Sequence, residues 1–293
     1  MKKSYRDNKQ LALDILRGKW MLHDAQQYAK AARNFVNRTD VAGPMAASGA
    51  SVTFVSAAGN RLTMDEYASG AQSSEKYVMI VSVMGCLTKW DNCFGTATMM
   101  AADLLDSHRD DEKICAFVLD IDSPGGCSNA VEPLRAAIAK VRATGKPVIA
   151  HCDQCCSAAY WIASACDTIL ADNILSEFGS VGAYIQYVDA RAANPLTGEK
   201  VIEIYAPESV DKNKAYRDAL DGNVEAAQKE LSALVQVFIA DVKAGRPDLD
   251  AEREGVLSGA VFSGQDAIDA GLADAFADLE SCVEIAYVRA NNV

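Results

Sequence analysis

Histidine is scarce in this chain, with three in 293 residues: His23, His108 and His151. A catalytic triad built on imidazole therefore has few candidates, and paired histidine ligands for a metal are missing. Basic residues are also in deficit, 28 Lys and Arg against 40 Asp and Glu. The resulting net charge of −12 excludes the basic footprint that a nucleic-acid-binding surface needs. No run of about twenty apolar residues occurs, so no membrane-spanning helix is expected. Lys2, Lys3 and Arg6 are not followed by the apolar core of a secretory signal. No internal repeat is visible, which excludes a solenoid or propeller. Nine cysteines, an odd number scattered through apolar segments, form no disulfide framework and point to a reducing compartment. The expected location is the cytosol, or a particle assembled there.

What the chain does have is apolar substance: half its residues are hydrophobic, enough for a sizeable core. Residues 1–75 read differently from 76–293. Leu11, Leu13, Ile15 and Leu16 precede Gly18, and Ala25, Tyr28, Ala32 and Phe35 recur at helical spacing, which predicts two short amphipathic helices. From Ala42 to Ser74 the composition turns to Gly, Ala and Ser, and it reads as a linker or flexible arm.

Beyond residue 76, β-branched apolar runs at Tyr77–Val83, Ile114–Ile121, Pro147–His151, Thr168–Ala171 and Val201–Tyr205 read as strands. Helical patterns lie between them, clearest in Val131, Leu134, Ile138 and Val141, which stop before Gly145 and Pro147. Strand and helix alternation predicts an α/β domain with a largely parallel sheet. A long helix over about 224–242 should pack Ala227, Leu231, Leu234, Phe238 and Val242 on the sheet or on a neighbouring subunit.

Two motifs carry the chemistry. Asp122-Ser123-Pro124-Gly125-Gly126 ends an apolar run, and glycines there free main-chain N–H groups to face developing negative charge, the raw material of an oxyanion hole. Ser157-Ala158-Ala159-Tyr160-Trp161 places a hydroxyl where an apolar helix begins. Serine needs a base to become a nucleophile. His151 ends the strand that leads toward Ser157 and stays a candidate, although a strand-end histidine is the plainer reading. Lys212 and Lys214 are the alternative, provided that burial lowers an amine pKa by roughly three units; taken alone, Lys-x-Lys is more often two solvated charges. The cluster Cys152-Asp153-Gln154-Cys155-Cys156 has one Cys-x-x-Cys and no second ligand pair, so buried thiols are favoured over a metal or redox site.

The order of these motifs, continued by Gly179-Ser180-Val181-Gly182 and a lysine some thirty residues on, resembles the signal peptide peptidase A family of Ser-Lys peptidases. Phe238-Ile239-Ala240-Asp241-Val242 with Arg246, the segment Gly259 to Ala267, and Gly271-Leu272-Ala273-Asp274 resemble that family's closing motifs. The likeness spans roughly residues 76–277. It implies a Clp/crotonase-like fold of repeated ββα or βαβ units, preceded by an N-terminal helical appendage.

By the same resemblance, Ser157 is the nucleophile and Lys214 the base, with Lys212 as second choice. Gly125, Gly126 and Ala158 supply the oxyanion hole, Gly179, Ser180 and Gly182 shape the site, and Ser123 with Asp122 holds the turn. The family's glycines after the nucleophile are replaced here by Ala158 and Ala159, and its glycine ahead of the base is missing. The implied activity is hydrolysis of soluble proteins, as in phage head assembly, by a ring-like homo-oligomer with no cofactor, metal, nucleic acid or membrane anchor. Two rival readings share the fold: a crotonase-like acyl-CoA enzyme, and an inert assembly protein.

Overall fold

The computed structural model describes residues 20–22, 50–70, 74–90, 95–187, 189 and 202–291, with the backbone alone for 20–22. The two helices expected between Leu11 and Phe35 lie outside these residues, as does the linker up to residue 49. Among the described residues the strands are β1 (Trp20–Leu22), β2 (Val52–Ser56), β3 (Arg61–Leu62), β4 (Tyr77–Met84), β5 (Ile114–Ser123), β6 (Gly125–Cys127), β7 (Val148–Cys156), β8 (Thr168–Ala171), β9 (Glu177–Gly179), β10 (Val261–Ser263) and β11 (Ala275–Phe276). The helices are α1 (Met64–Ser69), α2 (Thr98–His108), α3 (Val131–Ala143), α4 (Ala158–Ala163), α5 (Lys214–Leu220), α6 (Glu225–Gly245), α7 (Gly264–Asp269) and α8 (Leu279–Asn291).

The centre is three parallel strands, β4, β5 and β7, whose β-branched residues suit a pleated surface covered on both sides. Alternate side chains go to opposite faces. Met79, Val81, Phe117, Leu119, Ile121 and Ala150 join Leu105 of α2, Leu134 and Ile138 of α3, Trp161 of α4 and Phe238 of α6 in the larger core. Val78, Ile80, Ala116, Val118 and Ile149 pack instead on Cys282, Val283 and Ala286 of α8. The expected α/β architecture with a largely parallel sheet is observed, and the predicted helix at 131–141 is α3.

Three expectations are corrected. Residues 50–70 are not a linker. There β2 pairs antiparallel with β4 and with β3, and α1 carries a capping box between Thr63 and Glu66. Phe54 of β2 is fully buried and stacks on Tyr67 of α1, ring centroids 3.9 Å apart. The strand expected at 201–205 is absent over residues 202–205, and Ile202 and Ile204 are 69% and 90% exposed. β-branched residues favour a strand only where a partner edge is available. Finally, β7 does not end at His151 but runs through the cysteine cluster to Cys156.

Candidate active site

The site is built where β7 changes partners. Its first half, Ile149–Cys152, pairs with β8, and its last residues, Gln154–Cys156, pair with β9. A sheet that forks at the carboxyl ends of parallel strands leaves a crevice there, the usual place for a ligand in such folds. Ser157 is the next residue. Its φ of 55° and ψ of −119° fold the chain from strand straight into α4. Left-handed φ is strained for a non-glycine residue and persists only when its surroundings fix it. They do: the Ser157 N–H donates to the Gly179 carbonyl at 2.8 Å, and its own carbonyl accepts from the Trp161 N–H at 2.9 Å. Ser157 is 1% exposed, at the head of a helix whose every residue is buried. The Ala158 N–H, in the first turn of α4, has no intrahelical acceptor.

The glycine segment is fixed by its own serine. Ser123 Oγ donates to the Gly85 carbonyl at 2.6 Å and accepts the Gly125 N–H at 3.1 Å, and the Gly85 N–H donates to the Asp122 carbonyl at 2.8 Å. Ser123 and Asp122 thus hold the turn. The same bonds correct one expectation, because the Gly125 N–H is already donated to Ser123. Gly125 has a φ of 106°, a conformation open to glycine and strained for other residues. A Cβ at Gly126 would lie 2.0 Å from the Leu87 carbonyl oxygen, so only glycine fits there. Leu87 donates to the Gly125 carbonyl and accepts from the Cys127 N–H, both at 2.8 Å. Polar groups alternate along an extended strand, so the Gly126 N–H and C=O face the opposite edge. α4, headed by Ser157, packs against this strand, β6.

The turn from Gly179 to Gly182 sits next to Ser157, since Cys156 pairs with Gly179. Ser180, with φ of 52°, donates its N–H to the Ala260 carbonyl at 2.7 Å, which ties the turn to the residues just before β10. The lysines are placed differently. Lys214 opens α5 after Asn213 in left-handed conformation, and Nζ is ion-paired with Asp218 one turn on. Its side chain is 51% exposed, and Lys212 is exposed too. Among the described residues no hydrogen bond joins either lysine to Ser157 or to Ser180. The structure sets Ser157 beside Gly179, packs the helix that begins at Ala158 on the strand of Gly126, and leaves Lys212 and Lys214 exposed, Lys214 against Asp218.

Other reactive groups are engaged elsewhere. His151 is buried within β7, Nδ1 2.8 Å from Asp120 and Nε2 3.1 Å from Asp172. Burial would lower its pKa, but the two carboxylates outweigh it and hold the imidazole above its ordinary value. Cys152, Cys155 and Cys156 are buried free thiols, and burial pushes Cys152 and Cys156 well above the usual thiol range. Such thiols are poor nucleophiles and poor ligands. Among the described residues no cluster of three or more His, Cys, Asp or Glu is arranged to hold a metal.

Two closing-motif residues prove to be packing elements. Arg246, almost fully buried, makes a bidentate pair with Asp274 at 2.6 and 3.0 Å, and Asp274 also accepts the Ile169 N–H, pinning β8 to the segment that leads into β11. The carboxylate sandwich around His151 was not anticipated. Asp120, His151 and Asp172 are at least twenty residues apart and meet only because β7 lies between β5, with Asp120 opposite His151, and β8, which ends just before Asp172.

Comparison with known proteins bears on the same residues. The family description "Peptidase family S49" matches residues 140–291, just over half of the 293, a stretch that includes Ser157, Lys212 and Lys214. Capsid assembly protease C of Escherichia phage lambda is 33% identical over 165 residues, covering 56% of this chain and 37% of that protein. Head-tail preconnector protein GP5 of Enterobacteria phage P21 is 31% identical over 185 residues, covering 62% and 36%. Protease 4 of Salmonella typhi is 27% identical over 189 residues, covering 59% and 28%. The chain therefore spans about a third of the length of the curated relatives it matches.

Proposed function

The chain belongs to peptidase family S49, and we propose that it is a serine endopeptidase that cleaves soluble proteins through Ser157 and Lys214. The observation that carries this reading is the strained Ser157 at the fork of the sheet, its N–H held by the Gly179 carbonyl and the helix it heads packed on β6. A serine with no task has no reason to keep such a φ. Neutral Lys214 takes the Ser157 proton as Oγ attacks the peptide carbonyl, and the N–H groups of Gly126 and Ala158 hold the oxyanion. The lysine ammonium then protonates the leaving amine. Water, giving its proton back to the lysine, releases the acyl group.

This chemistry requires the amine to leave Asp218 and water behind, and assembly is the event proposed to do it. Ile202, Ile204, Val210 and Val224 flank the lysines and are all exposed. Buried together against a neighbouring copy, these residues would supply the apolar part of an interface. In a ring-like homo-oligomer the 202–224 segment is buried against a neighbouring copy, where Lys214 is dry and within reach of a serine. Two relatives are named for capsid assembly and head–tail connection, which supports a phage scaffold or coat precursor as substrate. Among the described residues no helix is long and apolar enough to cross a membrane.

An inert assembly protein is the competing reading, favoured by the absence of a base on Ser157 in the described chain. A fluorophosphonate probe separates the two. The proposal expects covalent labelling of the assembled protein that Ser157→Ala abolishes, with cleavage of candidate coat or scaffold proteins seen by mass spectrometry. A native-sized oligomer that neither labels nor cleaves would sink it.

A further inference from the structure

A three-residue strand from far up the chain lies on the glycine segment of the candidate site. β1, Trp20–Leu22, pairs antiparallel with β6, and the register sets Trp20 opposite Cys127, Met21 opposite Gly126 and Leu22 opposite Gly125. The other edge of β6 is taken by Leu87, which bonds the Gly125 carbonyl and the Cys127 N–H. Strand alternation therefore turns the N–H and C=O of Gly126 toward Met21, making residues 21 and 126 the hydrogen-bonded pair of the short ladder. The Gly126 N–H is also the group assigned above to an acyl oxygen. One donor thus faces both the developing oxyanion and residue 21.

We infer that this edge of β6 is the substrate strand site and that Trp20–Leu22 fills it as an intramolecular substrate mimic. The inference rests on the serine-peptidase reading, since only that reading makes the Gly126 N–H a catalytic donor. It names the substrate class: an extended segment, antiparallel to β6, with consecutive bulky apolar residues like the Trp-Met-Leu of the mimic. Recognition is by strand addition, in which main-chain bonds supply affinity and side-chain pockets supply selectivity. A three-residue pairing is too short to hold alone, and it persists because the tether keeps its local concentration high. A longer strand from a substrate displaces it. The site is thereby covered until a competent substrate displaces the strand, or a cut between Leu22 and β2 frees it from its tether.

The register offers a direct test, because native Cys127 stands opposite Trp20. Residues at a non-hydrogen-bonded antiparallel pair have Cα atoms about 4.5 Å apart with Cβ atoms on the same face, within the span of a disulfide. Full-length Trp20→Cys is oxidised with diamide and mapped by peptide mass spectrometry, and fluorophosphonate labelling of Ser157 is timed in the oxidised and reduced forms. Expected are a disulfide from position 20 to Cys127 and labelling at least about tenfold slower when it is closed, because a permanently covered site has almost no competent fraction. In Met21→Pro, which removes a ladder N–H, labelling should be faster than in wild type.

Failure of the disulfide to form in a protein with native circular dichroism overturns the strand placement. A disulfide with unchanged labelling, or Met21→Pro with wild-type labelling, overturns the claim that the strand covers the site. A disulfide in a protein that never labels upholds the strand placement and overturns the peptidase reading instead.

Discussion

The main-chain N–H of Ser157 donates to the carbonyl of Gly179 at 2.8 Å, so this residue of left-handed φ is held from a neighbouring strand on one side and, through the Trp161 N–H on its carbonyl, from its own helix on the other. The glycine segment on the other side is held in the same way, by Ser123. These two anchors decide whether the hydroxyl and its oxyanion donors keep their positions.

Ser123→Ala tests the second anchor. It removes the half-buried bond to the Gly85 carbonyl and the acceptor of the buried Gly125 N–H. Leaving such groups unpaired costs about 1–3 kcal/mol. Urea denaturation should show a loss of this size, and labelling of Ser157 in the folded variant should slow as β6 loses its fixed position.

Lys214→Met and Lys212→Met separate the two candidate bases. With Lys214 as base, its loss should lower peptidase turnover by about 10²–10⁴ while oligomer size is retained. Lys212→Met should stay within a few-fold of wild type. Equal losses in the two variants, or a larger one at Lys212, would reassign the role.

The stability of the sheet should depend on pH through His151. Its pKa is raised in the folded protein by Asp120 and Asp172, against the opposing effect of burial. A raised folded pKa gives a contribution that is complete below the unfolded value, about 6.5, and disappears as the pH rises through the folded value. The urea midpoint of the wild type relative to His151→Gln should therefore fall as the pH rises from the unfolded value through the raised folded one. Parallel curves would show that the carboxylates do not stabilise the imidazolium.

Phe54→Ala tests whether residues 50–70 belong to the folded unit. Phe54 is fully buried and stacked on Tyr67, so truncation should cost about 3–5 kcal/mol in chemical denaturation. A peripheral arm would lose almost nothing.

How much of this was legible in the sequence follows from how local each cause is. α3 is marked by Val131, Leu134, Ile138 and Val141, and the central strands by runs of β-branched residues, because periodicity is a property of neighbours along the chain. β2 and β3 were hidden in a stretch rich in small and polar residues, and β4, the strand on which β2 lies, is over twenty residues from it. The run at 201–205 shows the converse: its residues favour a strand, but no strand forms over 202–205.

The chemistry on offer is written in the order of residues alone: a serine before an apolar helix, two glycines after a strand, few histidines, and two lysines downstream. Only the folded sheet settles that Leu87 takes one edge of β6 and leaves the Gly126 N–H on the other, that His151 lies between two carboxylates, that the Ser157 N–H meets the Gly179 carbonyl, and that residues 20–22 lie along β6. The reason is physical. A residue's type and its near neighbours set what it can donate or accept, whereas the partner it meets depends on which strand edges remain open once the whole sheet has formed.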